Sequence, residues 1–262
     1  MPSLHPGAVY GVLKELREAA SHTGPVCVTG ALAAQLAKEL SRGGAPGAVR
    51  EGFVDDAAAL VHVLAAGPSA EDEQLLKRAR RKRVPVVAVL AGPELAPRVP
   101  YVLATDVVRV PAGQGFPIEE IATALATRLG IEGTAVAARL PVLRGATCEH
   151  LIASFSRKNA FLAAAIFIPG ADMPVLTLNQ LRLVLRIANA YGVEVGQERL
   201  PEVLAVVGGG FAFRALAHQA LNVIPVAGWA VQAGIAYAAT RAIGEAAIRY
   251  FAAMTDRDPS GV

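Results

Sequence analysis

The sequence predicts an α/β N-terminal domain, built on a small doubly wound and mostly parallel sheet, followed by an all-α domain of helical hairpins. Three observations carry that expectation. Residues 58–66 (AALVHVLAA) and 84–92 (VPVVAVLAG) are continuous apolar runs, the pattern of strands covered on both faces. Helix-period segments alternate with them, as crossovers in a parallel sheet require. Beyond residue 133 these signals give way to long Ala- and Leu-rich helical stretches.

Taken in order, residues 8–20 (AVYGVLKELREAA) have helical spacing and define an N-terminal helical segment, 1–20. The α/β domain is expected over 21–132. The run PVCVTG is strand-like, and residues 31–41 repeat apolar positions at helical spacing. SRGGAPGA is rich in turn residues, and VREGFV reads as a short strand. Between the two apolar runs lies PSAEDEQLLKRARRKR. Ser69 and Asp72 have capping-box spacing, acids fill the first turn and six Lys/Arg crowd residues 77–83. That basic run reads as a solvated helix end complementing its own dipole and the acids before it, with anionic lipid as the competing partner. DVVRVPAG (106–113) gives a last strand. PIEEIATALATRLG (117–130) gives a helix that opens at Pro117 and closes at Gly130. A helical linker is expected over 133–158 and a membrane-associating helical domain over 159–255.

Of 262 residues, 53% are apolar and 18% charged, with a mean hydropathy of +0.42, which favours membrane contact. The formal charge of +3 is too small to argue for nucleic acid. Residues 1–133 hold 14 basic and 14 acidic side chains and residues 134–262 hold 11 and 8, so the basic surplus sits in the more apolar half. Cys27 and Cys148 have no metal or redox spacing and read as reduced packing residues in a cytosolic compartment. Lys14 and Arg17 interrupt the first twenty residues, so no leader signal is expected there.

The order of elements over roughly 24–130 resembles the G domain of small Era/TrmE-like GTPases. Those residues that should carry its chemistry do not. A phosphate loop needs G-x-x-x-x-G-K-[ST], so that backbone amides wrap the phosphates, Lys meets their charge and a hydroxyl holds Mg²⁺. Counting from Gly30, the last three places hold Gln35, Leu36 and Ala37. The guanine-reading Asn-Lys-x-Asp falls on Ala91, Gly92, Pro93 and Glu94, and the Ser-Ala station on Pro111 and Ala112. The resemblance therefore implies a degenerate, catalytically dead G-like domain with no nucleotide cofactor; an ordinary α/β domain without that ancestry is the alternative.

The C-terminal half contains NAFLAAAIFIPGADMPVLTLNQLRLVLRIANAYG, GGGFAFRAL, IPVAGW and AYAATRAIGEAAIRYF. These resemble the GTPase-associated domain of unknown function 697 (the YcjF-like family), whose members accompany Era-like GTPase domains. The resemblance implies a partnership with a GTPase but no reaction. Two segments, around Ile168, Pro169 and Gly170 and around Ile224 and Pro225, each end an apolar helix and open a longer one, 56 residues apart. Residues 215–240 form an uncharged run of 26, enough to span a bilayer or to dip into it as helix–break–helix at Pro225 and Gly228. Arg157, Lys158, Arg214, Arg241 and Arg249 would sit at the head groups and Trp229 at the interface. Asp172 reads as a helix cap or as the ion-pair partner of Arg182 or Arg186. A compact Ala/Gly-rich bundle accounts for the same small residues without a membrane.

His5, His22, His62, His150 and His218 show no ligand spacing with one another or with cysteine, and no nucleophile motif is present. No catalytic residue, metal site or cofactor is expected. The sequence points to a non-catalytic pseudo-GTPase-like scaffold or adaptor at the inner face of the cytoplasmic membrane. Its expected partners are membrane lipids, further copies of itself and a true GTPase, with no nucleic acid. A cytoplasmic location, a divergent nucleotide-binding hydrolase and an oligomeric pore are the alternatives.

Overall fold

A computed structural model describes residues 11, 14, 24–92, 98–165, 173–193 and 228–257. The chain divides into two units: residues 19–150 form one, and residues 1–18 with 151–262 the other.

The first unit is built on a five-stranded sheet comprising β1 (Val26–Gly30), β2 (Val49–Glu51), β3 (Ala59–Leu64), β4 (Val86–Leu90) and β5 (Val107–Arg109). The strand order is β2-β1-β3-β4-β5 and every pair is parallel, so the doubly wound sheet predicted from the sequence is present. Helix α1 (Ala33–Leu40) joins β1 to β2, and α2 (Ala70–Arg81) joins β3 to β4. These two connections run outward in opposite directions. With right-handed crossovers they place α1 and α2 on opposite faces and leave a topological switch point between β1 and β3.

All residues of β3 and β4 are buried, which is why both read as unbroken apolar runs. On the α2 face, Leu60, Leu64, Ala88 and Leu90 pack with Leu76, Ala79 and Val99. On the α1 side, Leu36 and Leu40 turn inward. The edge strands are only three residues long each, which limits pairing with other chains.

The capping box forms as its spacing predicts: the Ser69 hydroxyl accepts from the Asp72 N–H at 3.2 Å, and the Ser69 N–H donates to Asp72 Oδ2 at 2.8 Å. The basic end of α2 is tied down by an acid outside the helix. Asp55, in the loop after β2, holds Arg78 Nη2 at 2.9 Å and Lys82 Nζ at 3.1 Å. Hydrogen bonding from Lys82, with Arg78 beside it, holds the Asp55 carboxyl below its usual range.

Helix α3 (Ile118–Leu129) closes near Gly130 as predicted. The helical stretch after it is interrupted. Helix α4 (Gly133–Arg139) ends at extended Leu140, a short 3₁₀ turn follows at Pro141–Leu143, and α5 (Arg144–Ala165) begins. Pro141 explains the break, since it lacks an N–H and forces its predecessor out of helical geometry. Both cysteines are free and buried, Cys27 in β1 and Cys148 in α5. Burial raises both thiols, Cys148 to about 12, so neither is a ready nucleophile.

In the second unit, the latter part of α5 packs with α6 (Met173–Ala190) and α7 (Gly228–Arg257). Asn159 meets Asn179 and Thr240, while a Cβ at Gly244 would run into Ile152 and reach Leu183 at 3.3 Å. Numbers falling in α5 as they rise in α6 and α7 make α5 antiparallel to both. Leu176 with Ala236, Gln180 with Thr240 and Leu183 with Gly244 then set α6 and α7 side by side and parallel. These two helices follow the Ile-Pro segments at 168–169 and 224–225, which themselves lie outside the described residues.

Candidate functional site

All five strands being parallel, their carboxyl ends lie along one edge of the sheet, the edge where doubly wound folds take ligands. Gly30 ends β1, Ala91 and Gly92 follow β4, and Pro111 and Ala112 come just after β5. The structure thus brings the three segments singled out by the G-domain resemblance to one edge; Glu94 lies outside the described residues. Gly30 is required there: its φ is +88°, and a Cβ would run into the Val63 carbonyl oxygen.

Only Ala31 and Leu32 separate β1 from α1. Leu32 sits in the left-handed region (φ 55°) and is 57% exposed. Such a short link has no span of backbone with which to encircle a triphosphate. Gln35 is already inside the helix, with Nε2 3.4 Å from Glu39 Oε1. Leu36 is 0% exposed and Ala37 is buried, so the places of the phosphate-binding Lys and the metal-binding hydroxyl face the core.

Next to this loop lies a relay that the sequence did not reveal. His62, in β3, is 1% exposed. Its Nδ1 is 2.9 Å from Thr29 Oγ1 and its Nε2 is 2.9 Å from Asp72 Oδ1. Asp72 also accepts at Oδ2 from the backbone N–H and hydroxyl of Ser69. Burial works to raise the Asp72 carboxyl, but the Ser69 hydrogen bonds and His62 outweigh it and the net direction is down. Burial lowers His62, against the opposing pull of Asp72, so the ring is neutral at pH 7. A carboxylate only accepts; Nε2 therefore carries the proton and donates to Asp72, and Nδ1 accepts the Thr29 hydroxyl.

Hydroxyl, imidazole and carboxylate stand here in the order of a nucleophile, its base and an orienting acid. Two grooves of this unit, of about 640 and 520 Å³, lie along α3. One runs beside β5 and is lined by Thr105, Arg109, Glu119 and Thr123; the other includes Val142, Glu149 and His150. The relay satisfies a buried imidazole and fastens β1, β3 and α2 together. One signal for it was present, a lone polar residue inside the apolar run ALVHVL followed by a carboxylate at the start of the next helix.

In the helical unit, four polar side chains meet between the helices. Asn159 Nδ2 donates to Thr240 Oγ1 at 3.0 Å, Asn179 Nδ2 donates to Asn159 Oδ1 at 3.0 Å, and Thr240 passes its own proton to the Ala236 carbonyl at 2.7 Å. Gln180 Nε2 reaches Thr240 Oγ1 at 3.4 Å, and its Oε1 has no partner among the described residues. All four residues are buried.

One end of this unit gathers the C-terminus of α5 and the N-termini of α6 and α7, joined through Ala163, Leu176 and Ala236. That end exposes apolar side chains: Phe161 (73%), Val175 and Val231. Arg157 and Lys158 are exposed one turn before Phe161. Among the residues singled out for membrane contact, Gly228 and Trp229 open α7, and Arg241 pairs with Glu245 at 2.8 Å. Ile168, Pro169, Gly170, Asp172, Arg214, Ile224 and Pro225 lie outside the described residues. The expected span over 215–240 is described only from Gly228, and α7 carries charges at Arg241, Glu245 and Arg249. Among the described residues no helix is long and apolar enough to cross a membrane, and no group of three or more His, Cys, Asp or Glu could hold a metal ion.

Fold and site together define a two-unit protein, a doubly wound α/β unit followed by a helical unit with a buried polar cluster and an apolar end. Residues 132–261 match the family model of a domain of unknown function, DUF697, and the C-terminal half carries that domain. No curated protein and no solved structure matches the chain.

Proposed function

We propose that the protein is a non-catalytic, pseudo-GTPase-like scaffold that associates peripherally with a membrane through its helical unit and partners other proteins, a true GTPase or further copies of itself. The observation that carries the first half is the β1–α1 junction. Two residues link strand to helix, and Leu36 and Ala37 point into the core where a phosphate loop presents its Lys and hydroxyl. In support of the second half, Phe161, Val175 and Val231 are exposed at one end of the helical unit, with Arg157 and Lys158 beside Phe161. An apolar end flanked by cations suits the boundary between acyl chains and anionic head groups.

Flotation of the full chain with liposomes tests the anchoring. Wild type is expected to float, with a part of its binding resistant to salt, and Phe161→Glu is expected to lose that part. A protein that stays with the buffer at all lipid concentrations would sink the anchoring. Calorimetry with GTP, GDP and ATP in the presence of Mg²⁺ tests the other half. Micromolar binding would favour a divergent nucleotide hydrolase, a reading supported by the presence of the switch-point edge itself.

A further inference from the structure

We infer that the α/β unit carries a second, separate lipid-facing surface: the basic end of α2 together with residues 99–103 forms a docking site for an anionic bilayer. The inference extends the membrane reading above but rests on different residues, in the other unit.

Six cations fall within residues 77–83, and all six are exposed. Asp55 engages only Arg78 and Lys82. Lys77, Arg81 and Arg83 make no ion pair among the described residues; the Arg80 guanidinium lies 5.8 Å from the centre of the Tyr101 ring. The helix end alone would be a solvated face. What distinguishes it is the company of exposed apolar groups: Tyr101 is 44% exposed and Leu103 is 59% exposed. Val99, packed in the same cluster as Val84, ties this loop to the end of α2. The Arg78 guanidinium lies 5.6 Å from the centre of the Phe53 ring, so the clasp at Asp55 and two rings together orient the cations instead of leaving them free.

This pairing of chemistry favours a bilayer over nucleic acid. Tyr suits the head-group level and an exposed Leu suits the acyl boundary, while cations around them meet anionic head groups. A nucleic-acid surface would use its aromatic rings as base-stacking platforms, whereas the Tyr101 and Phe53 rings are already faced by Arg80 and Arg78. Lys77, Arg80, Arg81 and Arg83 carry the charge that Asp55 does not neutralise.

The test uses the full chain and vesicles of phosphatidylcholine, alone or doped with phosphatidylserine. Wild type should bind the doped vesicles more tightly, and the increment should shrink as salt rises. The triple variant Lys77→Gln, Arg80→Gln, Arg81→Gln should lose about fivefold in affinity per cation removed, on the doped vesicles only. Leu103→Asp should weaken binding with the melting temperature preserved. In a Phe161→Glu background the phosphatidylserine increment should persist, so failure of the helical anchor and failure of this surface read out separately. Equal binding of wild type and the triple variant to doped vesicles overturns the inference. So does loss of the increment in the Phe161→Glu background, or a wild-type preference for homopolymeric RNA over the doped vesicles.

Discussion

His62 donates through Nε2 to Asp72 Oδ1 at 2.9 Å, ten residues along the chain, and the bond joins a buried central strand to the first turn of the helix that follows it. The neutral imidazole is held between this carboxylate and the Thr29 hydroxyl. The consequence is a pH dependence of definite sign. His62 titrates below its ordinary value of 6.5 in the folded chain, so below that pH the unfolded chain takes up a proton that the folded chain resists. Its contribution to stability is complete above about pH 6.5 and declines as the pH falls toward the lower folded value. Asp72, also lowered, adds a second loss below its ordinary 3.8. Thermal melts from pH 7.5 downward should therefore show a falling midpoint, and His62→Gln should flatten the upper part of that fall. An unchanged slope in the variant would mean that the ring does not titrate as described.

Breaking the relay at its other end tests its mechanical role. Thr29→Val should cost about 1–2 kcal/mol, because it leaves the buried Nδ1 of His62 without its donor. Urea denaturation of both single variants and of the double variant gives the coupling between them, expected to exceed 0.5 kcal/mol, about the smallest value typical of residues in contact.

At the β1–α1 junction, Gly30→Ala should destabilise the α/β unit by about 2–4 kcal/mol, since it combines an unfavourable φ with a collision against the Val63 carbonyl. The same junction predicts that restoring phosphate-loop residue types does not restore binding. Leu36→Lys places an ammonium in the core and should cost about 3 kcal/mol or more without producing GTP binding. Titration calorimetry on that variant, beside its melting curve, separates the two effects. Mg²⁺-dependent GTP heat from wild type would falsify the pseudo-GTPase reading.

The buried cluster of the helical unit predicts an asymmetry between single and paired substitutions. Thr240→Val removes the acceptor of Asn159 and Gln180 at once and should cost about 1–3 kcal/mol. Asn159→Leu should cost a similar amount, because Asn179 then loses its acceptor. Combining the two should cost clearly less than their sum, as is usual for members of one network. Additive losses in chemical denaturation would show that the four side chains do not act together.

Much of this protein was legible in its residues. The unbroken apolar runs of β3 and β4 report strands buried on both faces, and they locate the sheet because that burial is itself the cause of the pattern. Ser69 and Asp72 mark the start of α2 for a local reason: a capping box is closed within four residues and needs no tertiary partner. That residues 35–37 do not match a phosphate loop is also written in residue types, as Gln35, Leu36 and Ala37 have neither the charge nor the hydroxyl required.

What stayed hidden depends on groups far apart in the chain. Nothing local says that the acid meeting Arg78 and Lys82 is Asp55, which depends on where a loop meets a helix end, or that Thr29 sits opposite His62, 33 residues away, which strand register decides. Likewise Asn159 and Thr240 are 81 residues apart, and only the side-by-side packing of the helices makes them partners. Local propensity and periodicity set the elements and their faces. Which buried polar groups find each other, and which apolar ones are left facing outward at Phe161 and Leu103, is settled only when those faces meet, since each hydrogen bond and each exposed ring depends on the position of a second element.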